Sequence, residues 1–169
     1  YADAVQFSDD TYSSPERIEA MLRYYGQCLD QLGMMPADGG ASLEVGAGRA
    51  WVSRAIKARN PGILTVAQDV TAECAGECPW VDDYVVGVVG NLDRARPFEL
   101  ISLTHVIEHL VDPQSMLREL AARLAGLGDF LAQDLAEAPR AGPRRVVVGV
   151  DQVQRDVAFA AFGERQRHE

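Results

Sequence analysis

Three groups of residues have types and spacings that chemistry can use. The first is Glu44 with Gly46-Ala47-Gly48, a carboxylate just ahead of a glycine turn. The second is Asp69, an acid that closes an apolar run. The third is His105, Glu108 and His109, spaced i, i+3 and i+4. A carboxylate facing inward from a buried strand needs a partner, and a cationic ligand supplies one. A glycine turn lets a ligand approach the backbone closely, and the amides of the helix that follows point at it. An acid about 20 residues beyond such a turn is where nucleotide-binding α/β folds take a ribose hydroxyl. In the third group a helical turn places all three side chains on one face. That face suits a divalent metal, a general base acting on a substrate hydroxyl, or simple bracing of the turn.

The elements that must carry these groups alternate strand and helix. Ser42–Val45 reads as a short apolar strand, and Trp51–Lys57 as the helix after the glycine turn. Ile63–Asp69 is a β-branched second strand, followed by an irregular connection over Thr71–Pro79. Asp83–Val89 reads as the third strand, leading into Gly90-Asn91-Leu92. Phe98–Leu103 is the fourth, and a helix runs from Pro113 to about Leu124 with Met116, Leu117, Leu120 and Leu124 as its apolar stripe. Ahead of all this, an arm precedes Tyr12. A helix follows, capped by Ser14, carrying Pro15 in its first turn and stopped by Gly33. Asp129–Gln133 reads as a fifth strand. Arg144–Val150 and Val157–Phe162 are two more, and Asp151–Asp156 between them can close an antiparallel hairpin.

Two details narrow the ligand. The dinucleotide fingerprint G-x-G-x-x-G needs glycine where Trp51 stands, and a pyrophosphate gains nothing from Glu44 close by. A ligand with a cationic ammonium and a ribose diol fits better. The run Glu44-Val45-Gly46-Ala47-Gly48 resembles motif I of the class I S-adenosylmethionine-dependent methyltransferases. Thr104-His105-Val106-Ile107-Glu108-His109-Leu110, with Asp112-Pro113, is similar to the segment after strand four in a large branch of that family. The resemblance spans roughly Leu43 to Gln133. Glu99 stands where the family usually has Asp, and Gly126-Leu127-Gly128 where it has P-G-G.

The resemblance implies a Rossmann-like, doubly wound α/β fold with a mostly parallel seven-stranded sheet and a C-terminal antiparallel hairpin. It implies S-adenosylmethionine as cofactor and a small-molecule methyl acceptor as partner. Gly46, Ala47 and Gly48 would flank the methionine part, with Glu44 beneath it. Asp69 would bind the ribose diol, with Val70 beside it. Asn91 would face the adenine amino group, Leu92 would offer its amide to the ring, and Thr104 would complete the pocket. His105 is the better candidate for a catalytic base, and His109 the second. A related pattern supplies metal ligands in small-RNA 2′-O-methyltransferases. That pattern has glutamate in place of His105 and needs a further histidine, for which only His168 is left, so no metal is expected. Two other classes compete: a nucleotide-dependent oxidoreductase, disfavoured by Trp51 and Glu44, and a methyltransferase fold that binds without catalysing.

Composition sets the outer bounds. The chain has 169 residues, 47% of them hydrophobic, which suits one domain. Within it, 1–40 forms the arm and covering helix, 41–135 the cofactor-binding core and 136–169 a shortened C-terminal part. A crossover between parallel strands needs more chain than Leu135–Pro143 provides, so residues are expected to be missing around 136–142. The net charge of −9 argues against a broad nucleic-acid surface. No run is long enough to span a membrane, and no leader pattern precedes the fold, although Tyr1 suggests a trimmed start. Three cysteines, Cys28, Cys74 and Cys78, read as free thiols and point to a reducing, cytoplasmic setting.

Overall fold

The computed structural model describes residues 14–93, 96–124 and 145–149, the last of these for its backbone alone. Five strands form one sheet: β1 (Ala41–Val45), β2 (Leu64–Asp69), β3 (Asp83–Val86), β4 (Leu100–Thr104) and β5 (Arg145–Gly149). They lie in the order β3-β2-β1-β4-β5, and every neighbouring pair is parallel. The chain therefore winds from β1 outward to β3, then returns to the other side of β1. Strand order reverses between β1 and β4, and the crevice above such a point is where open parallel sheets take their ligands.

Burial on both faces explains the strand sequences. Leu43, Val45, Val66, Ile101 and Leu103 share one core with Phe98, Leu120 and Leu124. The alternate residues Ser42, Glu44, Thr65, Ala67 and Ser102 are buried too. Strands covered on both sides lose the polar alternation of half-exposed ones. The helices supply the covers. α1 (Pro15–Gln31) begins at the Ser14 cap, whose side chain accepts from Arg17 N, with proline in the first turn. Its Leu29 packs with Val52, Ala55 and Ile56 of α2 (Trp51–Arg59) and with Leu100 of the sheet. α3 (Pro113–Ala121) starts at Asp112, which accepts from Ser115 N at 3.0 Å, and buries Leu120 in the other core. Glu99 accepts from Ala37 N at 2.8 Å just ahead of β1.

Two sequence expectations change. The third strand stops at Val86 rather than Val89, because Gly87 turns out of the sheet at φ 121° and Val89–Asn91 winds as a 3-10 turn. Arg145–Gly149, expected in the terminal hairpin with Val157–Phe162, lies directly beside β4 as its parallel partner, from Leu100↔Arg145 to Thr104↔Gly149. Its three consecutive valines suit such a strand. The expected strand Asp129–Gln133, the hairpin strand Val157–Phe162, the stretch 136–142, the arm with Tyr12, and His168 lie outside the described residues.

Candidate active site

The glycine loop is shaped by backbone sterics and then gripped from several directions. Gly46 and Gly48 take left-handed conformations, φ 61° and 48°, and Ala50 joins them at φ 50°. A side chain at Gly46 would collide with Val106 as well as strain the backbone. Ala47 N donates to Gln68 O at 2.9 Å, and Gly48 N donates to Asp69 Oδ2 at 2.9 Å. The loop's carbonyls are held from the β3 side: Tyr84 Oη donates to Gly48 O at 2.9 Å and Trp80 Nε1 to Ala50 O at 3.1 Å. Arg49 pairs with Glu77 at 3.3 Å. Burial, its largest influence, raises the Tyr84 phenol above its usual range and keeps it a donor.

Glu44 lies under this loop with 2% of its surface exposed. Its carboxylate accepts from Val52 N at 3.2 Å, Ser53 N at 2.8 Å and Ser53 Oγ at 2.8 Å. The partner sought in a ligand is therefore the N-terminus of α2, whose own cap position, Ala50, has no side chain that can accept. The same bonds occupy the first-turn amides that were expected to face a ligand. Burial, opposed by those bonds, pushes the Glu44 carboxyl up to about 7.

Asp69 ends β2 at the edge of the crevice. One oxygen meets Gly48 N, the other accepts from Thr71 N at 3.1 Å. Each carboxylate oxygen keeps a further lone pair for a hydroxyl. Val70 beside it is 71% exposed, and Val88 across the same edge is also exposed. Asn91 is exposed, and its amide lies over Gly87, which has no Cβ to obstruct it. Leu92 departs from expectation. Its side chain is in the core and its amide already donates to Val89 O at 3.1 Å.

Thr104 closes β4, and His105 follows in a left-handed conformation at φ 57°, rare for a residue with a Cβ. Ile107–His109 is a 3-10 turn that begins after His105, so the three side chains do not share one α-helical face. His105 Nδ1 comes within 3.5 Å of Glu108 Oε1. His109 is exposed, which removes the bracing role considered for it. Among the described residues no group of three or more His, Cys, Asp or Glu side chains is placed to hold a metal ion. Cys74, Cys78 and Cys28 are free thiols, and burial pushes the Cys78 thiol up to about 11.

Tyr84, Trp80 and the capping role of Glu44 escape sequence reasoning. A signal for the last is present: a helix start without a capping side chain, and an acid on the preceding strand.

The fold and loop define a Rossmann-like α/β domain with its ligand edge at a strand-order reversal. The chain belongs to the methyltransferase domain family, whose model matches residues 17–160. Comparison with curated protein sequences finds no match. Among solved structures the fold is similar to coclaurine N-methyltransferase bound to N-methylheliamine and SAH, at 16% identity and TM-score 0.52, over 70% of this chain and 36% of that one. It is also similar to the plantazolicin methyltransferase BpumL with a pentazolic desmethylPZN analog and SAH. That match has 13% identity and TM-score 0.57, over 83% of this chain and 49% of that one. The chain thus spans about a third to a half of the length of these structures.

The Glu44 geometry sets a pH dependence of stability. A folded-state value near 7, above the usual carboxylate range, means the folded protein holds a proton that the unfolded chain has released. Stability then falls as pH rises through that window, by up to about 1.4 kcal/mol per pH unit, and levels off above it. Urea unfolding at pH 5, 6, 7 and 8 should show this fall in the native protein and not in Glu44→Gln. Parallel curves for the two would remove Glu44 as the source.

Proposed function

We propose that this domain transfers a methyl group from S-adenosylmethionine to a hydroxyl or amine of a small molecule. The observation that carries the reading is the bond from Gly48 N to Asp69 Oδ2, which joins a glycine loop to a strand-end acid across the crevice. Loop and acid then offer one surface to an aminoacyl group and a ribose. Gly46, Ala47 and Gly48 line the methionine end, and the missing Cβ at Gly48 leaves open space there. Asp69 accepts from the ribose hydroxyls. Val70 gives the purine an apolar flank, Asn91 accepts from its amino group, and Leu92 anchors that loop in the core. Glu44 acts from below, by fixing the start of α2. The described residues therefore fit the cofactor.

The cofactor supplies an electrophilic methyl on a sulfonium, which carries its own leaving group, so the protein's main task is alignment. Thr104 and His105 stand where β4 meets the crevice. His105 takes the proton of a substrate hydroxyl, with Glu108 near its Nδ1; His109, exposed one turn on, is the second candidate. The complete sheet in this reading has seven strands, with Asp129–Gln133 and Val157–Phe162 as the further two, and ends in an antiparallel hairpin. No described helix is long and apolar enough to cross a membrane. We place the protein in the cytoplasm, with a small acceptor rather than nucleic acid as partner.

Calorimetry tests the cofactor first. S-adenosylmethionine or S-adenosylhomocysteine should bind and NAD should not; the reverse pattern ends the methyltransferase reading. Asp69→Ala should weaken that binding by about 1–3 kcal/mol, the scale for a lost hydrogen-bonding partner. An unchanged affinity moves the ribose elsewhere. Once a screen of hydroxylated and amino compounds yields a substrate, His105→Ala should lower turnover about 100- to 10,000-fold and leave cofactor affinity nearly intact. A variant with native turnover returns His105 to a purely conformational role.

A further inference from the structure

Arg123 is a buried cation that the proposed chemistry does not use. Its side chain is 6% exposed, just past the end of α3. Its guanidinium spreads over the turn that follows β3. Nη2 donates to Val89 O at 3.1 Å, and Nη1 donates to Leu92 O at 3.3 Å and Asp93 O at 3.4 Å. Among the described residues the carboxylate paired with it is Glu119, at 3.4 Å and 44% exposed. A charge this deeply buried usually faces a matching charge; here most of the fork meets neutral carbonyls of one short loop.

Those carbonyls have a common consequence. Val89 and Leu92 bury their side chains in the core, and Asn91 stands between them on the open side. Pinning the carbonyls of residues 89, 92 and 93 fixes the pitch of the 3-10 turn, and the pitch fixes where Asn91 is presented. A planar fork can hold several carbonyls at set angles, whereas a lysine ammonium is a single flexible point charge.

We propose that Arg123 is a positioning residue that sets the purine selectivity of the cofactor site by fixing the Val89–Asp93 loop. This rests on the reading that Asn91 faces the purine amino group. The test compares the affinities of S-adenosylhomocysteine and S-inosylhomocysteine, which differ in that amino group. The native protein should prefer the adenosyl compound by about tenfold or more, the scale of one good hydrogen bond. Arg123→Lys should bring that ratio close to one. Arg123→Gln, which strands no charge in the core, should do the same and serves if the lysine variant is unstable. Glu119→Gln leaves the carbonyl contacts in place and should keep the native ratio.

A folded Arg123 variant with the native ratio overturns the proposal, because loss of general stability lowers both affinities together. Failure of both variants to fold makes Arg123 a core residue and overturns it too. If the native protein binds neither compound, the cofactor reading itself is what fails.

Discussion

The crevice depends on a carboxylate that no ligand needs to touch. α2 starts abruptly, out of a left-handed alanine, and its first amides have no capping side chain from their own turn. Glu44 supplies the missing acceptor from the strand below, with three bonds under 3.3 Å. Without it, buried N–H groups would be left unpaired at a helix start, a cost of a few kcal/mol at least. With it, the loop can go straight from strand to helix in the fewest residues. The shape of the ligand edge then follows. Gly46 and Gly48 absorb the reversal, while Asp69, Tyr84 and Trp80 hold the backbone from the side. Burial opposes the anion, and the bonds from Ser53 and Val52 favour it; burial is the larger, so the Glu44 carboxyl is raised.

Much of this was legible in the sequence because it is local. Apolar runs closed by glycine or an acid give β1 and β2, and the Ser14-Pro15 start gives α1. The separation of Gly48 and Asp69 encodes a contact across the crevice, since one βα unit has a nearly fixed length. What was not legible depends on partners far apart in the chain. Glu44 looks in the sequence like an acid in need of a ligand, because a strand residue's neighbours on the helix above cannot be seen in one dimension. Arg123 looks like any basic residue near a helix end until the turn after β3 is folded against it. The spacing of His105, Glu108 and His109 misled for a different reason. Spacing defines a shared face only within one regular helix, and the left-handed His105 stands before the turn begins.

Among the described residues two non-glycines are left-handed, Ala50 and His105, in the loops that follow β1 and β4, the strands that flank the reversal of strand order. Each such conformation costs of order 1 kcal/mol or more and persists only where the surroundings fix it. At Ala50 the fixing contacts are plain: Trp80 holds its carbonyl and α2 continues from it. At His105 the backbone turns so that Val106 lies against Gly46, in space that any side chain at that glycine would occupy. The loop after β4 is thereby seated on the loop after β1. In the proposed reading that contact places the candidate base beside the loop assigned to the methionine end of the cofactor. A side chain at Gly46 would push the two loops apart, so the glycine has a second role besides its own torsion: it sets the distance between the two halves of the site. The left-handed His105 stands immediately before Val106, so the one strained torsion and the one seated side chain are adjacent in the chain where the two loops meet.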